Sequence, residues 1–157
     1  MIITIGIKAH LAKFLLHEES LNLSGDAIIL TKLRIIPNFI IGKLVYKRKF
    51  FEEKLCEKVI KVKFLLRQQY VSRGSIYISA EGIQNINSFL SKIFNWKLEI
   101  YISLHPHLNR KEATRAFLKL YGIEEEEDVA MSTIEKSNDR YRKEYPDLFP
   151  TKSKPLS

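Results

Sequence analysis

The chain has 157 residues, 45% of them hydrophobic, enough for one domain or two small lobes sharing a core, and its apolar residues fall in periodic runs that exclude a disordered polymer. The formal net charge is +8 and the pI about 9.5, a balance that suits a polyanionic partner or an anionic surface. A single cysteine, Cys56, excludes an intramolecular disulfide and a thiolate-rich zinc site, and points to a reducing, cytoplasmic setting.

Residues 2–7, IITIGI, are a β-branched run that predicts a strand. It leads directly into a helix with Leu11, Phe14 and Leu15 on one face. Lys8, His10 and Lys13 break this region, so it lacks the charged-then-apolar order of a secretory signal. Ser24, Gly25 and Asp26 form a turn, and residues 27–31 predict a second strand. A helix is expected over residues 37–51, entered at Pro37. The apolar run IIPNFIIGKLVY, which overlaps it, is interrupted by Pro37, Gly42 and Lys43 and is too short to span a bilayer. Residues 58–66 predict a third strand, with Lys61 and Lys63 on an exposed face opposite Ile60, Val62 and Phe64. Residues 67–79 read as irregular, a turn or an edge strand.

From Ser79, an N-cap residue, the character becomes helical, with Ile83, Ile86, Phe89, Leu90, Ile93 and Phe94 at helical spacing. Residues 96–104 fit both strand alternation and a helical stripe. No glycine, proline or turn cluster separates them from the preceding helix, so one helix is expected as far as His105. Pro106 stops it. Asn109 and Glu112 then predict a capping box, with Ala113, Ala116, Phe117, Leu120 and Tyr121 on the buried face and Gly122 at the C-terminal stop. After the acidic stretch 124–128, Ser132 and Glu135 predict a second capping box opening a last helix. The proline-containing stretch beyond Tyr145 reads as a tail. The chain thus divides into a basic α/β part (1–78), a helical part (79–145) and a tail (146–157). The expected fold is α+β: a small N-terminal sheet with two helices, then a three-helix part resembling a loose helix-turn-helix.

The positive charge is concentrated. Residues 1–78 carry 14 Lys+Arg against 6 Asp+Glu, a net of +8, whereas residues 79–157 carry 12 of each. Within the first half, Lys47, Arg48 and Lys49 interleave with Tyr46, Phe50 and Phe51, a combination that serves single-stranded nucleic acid by stacking and phosphate contact. An amphipathic helix end with solvated lysines explains the same pattern. On the last helix, Ile134, Tyr141 and Tyr145 share one side, while Lys136, Arg140 and Lys143 form a basic ridge opposite. Asn138, beside Ser137, is a short polar group able to reach base edges. Against that reading stand the long acidic linker 124–128 and the residues Glu135, Asp139 and Glu144, which dilute the ridge. A solvated helix face accounts for these charges equally well.

Other chemistry finds little footing. His105 and His107 lack further ligands nearby and read as a helix-terminating turn. His10 and His17, two helical turns apart, read as packing or solvent-facing residues. The scattered glycines form no phosphate loop. No nucleophile with an identifiable base is apparent, so the reading is non-enzymatic, without metal or cofactor. The expected partner is nucleic acid, with a protein partner or self-association as the alternative, and no membrane. The C-terminal half, with its Ala113–Phe117–Tyr121–Gly122 pattern, acidic stretch 124–128 and basic end around Tyr141, resembles a group of small uncharacterised proteins of phages and mobile elements of Bacteroidetes-type bacteria. That resemblance implies a phage or mobile-element setting and leaves the biochemistry open.

Overall fold

The computed structural model describes residues 1–47, 59–66 and 75–149. It shows an α+β fold, in which β1 (Ile2–Lys8) runs into α1 (Ala9–Glu18) without a loop. A 3-10 turn (Ser20–Asn22) precedes the short strands β2 (Leu23–Ser24) and β3 (Ala27–Ile29), then α2 (Ile35–Ile41), β4 (Leu44–Lys47), β5 (Val59–Leu65) and β6 (Ser75–Ile78). Three helices complete the chain: α3 (Ala80–Leu104), α4 (Arg110–Leu120) and α5 (Met131–Glu144).

The main sheet has the order β1-β5-β3-β2. β1 pairs antiparallel with β5, placing Ile5 opposite Val62 and Ile3 opposite Phe64, and β3 runs parallel to β5. β2 and β3 form a hairpin whose turn contains Gly25 at φ +63°, a backbone setting that favours glycine. The period-2 pattern of β5 is realised as expected: Val62 and Phe64 are buried and Lys61 and Lys63 exposed. One apolar cluster extends from Ile5 and Phe64 of the sheet through Phe14 of α1 to Leu90 and Phe94 of α3, Phe117 of α4 and Ile134 of α5.

The expected helix over 37–51 is corrected. The helix spans only Ile35–Ile41, and Gly42 closes it by donating its N–H to the Asn38 carbonyl at 3.1 Å. Leu44–Lys47 is a strand, because β6 supplies it with an antiparallel partner in which Leu44 faces Ile78 and Lys47 faces Ser75. Pairing across such a distance in sequence leaves no trace in local helical spacing. The remainder of that expected helix, including Arg48, Lys49, Phe50 and Phe51, lies outside the described residues, as do Cys56 and the C-terminal stretch from 150.

α3 is one uninterrupted helix of 25 residues, and the Ser79 hydroxyl accepts the Gly82 N–H at its start. Strand and helix patterns compete over 96–104; the segment is helical, and Leu98 is buried while Trp96 and Ile100, which a strand would place on the same face, are exposed. At its end the His105 ring stacks on Tyr101 and its Nδ1 lies 2.8 Å from the Tyr101 carbonyl oxygen. α4 carries the full Asn109–Glu112 capping box. Its buried face is rotated from the expected one: Ala113, Thr114, Phe117 and Leu118 are inside, while Leu120 is 55% exposed. Ion pairs tie the helices at their ends. Glu18, at the end of α1, accepts from Lys97 of α3 at 2.5 Å and from the Tyr121 hydroxyl at 2.8 Å. Burial and that carboxylate acceptor push the Tyr121 hydroxyl above the usual phenol range. No described helix is long and apolar enough to cross a membrane.

Candidate functional site

α4 and α5 both pack chiefly on α3. A helix-turn-helix instead needs its first helix to brace the second. The acidic linker between them is ordered by its own charges. Arg115 bonds Glu125 at 3.0 Å, Lys13 of α1 pairs with Asp128 at 2.6 Å, and the Asp128 carboxylate also accepts the Glu124 N–H at 2.7 Å. α5 begins two residues earlier than the Ser132 cap would place it. Its N-cap is Ala130, and the Glu126 carboxylate accepts the Met131 N–H at 3.4 Å in place of a local cap.

A cleft of about 880 Å³ lies where the end of β1, the first half of α3 and α5 meet. Asn87 builds one corner: its Oδ1 accepts the Lys8 N–H at 2.9 Å and its Nδ2 donates to the Ile83 carbonyl at 3.0 Å, fixing α3 to the end of β1. Lys8, Lys92, Lys136 and Arg140 line the cavity, with Glu144 as the carboxylate among its lining residues. That carboxylate is engaged, accepting from Lys92 at 2.8 Å. The bond holds the Lys92 ammonium above its ordinary range and Glu144 below the carboxylate range. Lys136 and Arg140 are exposed and pair with no carboxylate among the described residues. Glu135 and Asp139 lie outside the lining. Lys143 is exposed on α5 but is not part of the lining.

Leu11, Phe94 and Ile134, each at most 2% exposed, belong to the lining together with His10. The His10 ring meets the Phe94 ring edge-on at 5.6 Å. Burial first, then the neighbouring Lys8 charge, lower its pKa from 6.5 to about 4, against a smaller opposing pull from Asp128. Between those pH values the unfolded chain binds a proton that the native chain refuses, so stability rises with pH across this window. Thermal melts of the wild type are therefore expected to fall from pH 6.5 towards pH 4, and His10→Gln to flatten that dependence. An unchanged slope in the variant would assign the effect to other groups.

A polar seam, which lines the cleft through Ser91, Asn95 and Ser137, joins α5 to α3. Arg110 donates to both Glu99 and Asn138, and Asn138 donates to Asn95 at 3.3 Å. Asn95 in turn donates to the Ser137 hydroxyl at 3.0 Å and to the Ser91 carbonyl at 2.8 Å. The expected base-reading role of Asn138 is corrected by this placement. Asn138 is only 3% exposed and spends its amide on the seam, and Ser137 is half-buried beside it. Of the other expected contact residues, Lys136 and Arg140 come together on the cleft, Lys47 ends β4, and Arg48 and Lys49 lie outside the described residues. Sequence reading missed Lys8, His10 and Lys92, whose convergence depends on contacts between residues far apart in the chain. Among the described residues no group of three His, Cys, Asp or Glu side chains is placed to hold a metal ion. No protein-family model, curated protein or solved structure matches the chain.

Proposed function

We propose that the protein binds nucleic acid, without catalysing a reaction on it, through the basic cleft and the adjoining ridge of α5. The observation that carries this reading is the convergence of Lys136 and Arg140 with Lys8 on one cavity whose carboxylate, Glu144, is already paired with Lys92. Lysine and arginine so placed neutralise phosphates, and the release of condensed counterions makes such binding salt-dependent. With Asn138 engaged in the seam, affinity rests on the phosphate backbone more than on base edges. A regulatory role in a phage or mobile element belongs to the same proposal and rests on the resemblance of the C-terminal half.

A second reading, a protein-interaction component, is favoured by one feature. Trp96, Ile100 and Leu104 form an exposed apolar stripe at four-residue spacing along α3. Salt separates the two readings. If three or four phosphates are neutralised, log affinity against log salt is expected to fall with a slope of about −2 to −4. Anisotropy of a labelled oligonucleotide across a salt series measures it. No binding at low salt would defeat the nucleic-acid reading and favour the apolar stripe.

A further inference from the structure

Resting on the nucleic-acid reading above, we infer that the cleft takes unpaired nucleotides of a single strand rather than the side of a duplex. A helix that reads duplex must project, so that its basic face enters the major groove while neighbouring groups hold the backbone. α5 is seated otherwise. Ile134, Asn138 and Tyr141 bury one face against the body, and Lys136 and Arg140 border the concavity between α5 and α3. Both side chains are exposed at its edge, where they can hold the phosphates of a strand whose base enters the concavity, whereas the paired bases of a duplex cannot enter it. The volume of about 880 Å³ falls within the roughly 300–1,000 Å³ of sites that enclose small ligands.

The walls match the two halves of a nucleotide. Lys136 and Arg140 offer charge to a phosphate, while the half-buried Val59 and Ile83 of the lining offer apolar surface to a base. Gln84 and Ser88, exposed on α3, present both donors and acceptors to a base edge. His10, kept neutral by burial, adds an aromatic ring to the cavity without adding charge.

The test compares, on the full chain at one salt concentration, a labelled single-stranded oligonucleotide, the same strand annealed to its complement, and adenosine monophosphate as competitor. The single strand is expected to bind about tenfold or more tightly than the duplex, in keeping with what one base contact contributes. Ser88→Trp fills the cavity without changing its charge and is expected to weaken single-strand binding by about tenfold while leaving the melting temperature unchanged. Duplex binding as tight as single-strand binding would overturn the inference and leave the nucleic-acid reading standing. Full single-strand affinity in the folded Ser88→Trp variant would also overturn it, as would displacement of the strand by equimolar mononucleotide, which would make a free nucleotide the ligand. Failure of both nucleic acids to bind would remove the broader reading as well.

Discussion

Phe117→Ala is expected to destabilise the protein by about 3–5 kcal/mol, the cost of a large-to-small change at a fully packed aromatic. Phe117 is 2% exposed and packs α4 against α3 within the core cluster. Its ring packs edge-on against Phe94 at 5.3 Å, and lies 4.8 Å from Tyr121 and 5.6 Å from Tyr101. Phe94 and Tyr101 are fixed on the long helix α3 and Tyr121 caps the end of α4, so these rings cannot all collapse into the cavity. Chemical denaturation checks the figure. A loss below about half the lower bound would mean that the site relaxes freely and that α4 is not anchored by this ring.

Arg110→Ala is the second large expected effect, about 3 kcal/mol. Removing the guanidinium leaves Glu99, 6% exposed on its side chain, with Arg142 at 4.0 Å as the remaining cation, and takes a donor from Asn138. Breaking an enclosed ion pair from one side typically costs roughly 3–5 kcal/mol. The lower end applies because the Arg110 side chain is 40% exposed and Arg142 stays nearby. The double variant Glu99→Leu/Arg110→Ala is expected to recover part of the loss, since it no longer strands a buried charge. Equal losses in the single and double variants would show that the seam contributes through shape alone. The same seam seats α5, so these variants also test how firmly the basic flank is held at the cleft.

Much of the fold was legible wherever the determining signal was local. The β-branched run of β1, the alternation in β5, the Ser79 cap and the Asn109–Glu112 box each act within a few residues, and each appears in the structure. Failures came where a distant partner decides. Leu44–Lys47 is a strand because β6 pairs with it, and Leu120 is exposed because α4 turns Leu118 and Thr114 towards the interior instead. At Ser132 a well-formed local signal yielded to the linker, where Glu126 reaches the first helical N–H. The site was half legible for the same reason. The ridge of Lys136 and Arg140 is a helical repeat that spacing reveals. The cleft it borders depends on Asn87 meeting Lys8, 79 residues away, and on Lys92 meeting Glu144, 52 residues away. Asn138 shows the converse: a polar residue near the ridge reads as a contact residue until its partner on α3 is seen.

The salt dependence of oligonucleotide binding in a charge-removal variant tests the central claim most directly. Lys136→Ala/Arg140→Ala changes two exposed side chains on the cleft, and Lys111→Ala/Lys119→Ala removes the same charge from the exposed face of α4. If the cleft holds phosphates, the first variant is expected to flatten the slope of log affinity against log salt by about 1.5–2 units, roughly one per lost contact. The second is expected to leave it near the wild-type value. Equal slopes for the two variants would mean that binding follows net charge, and would contradict the assignment of the cleft as the nucleic-acid site.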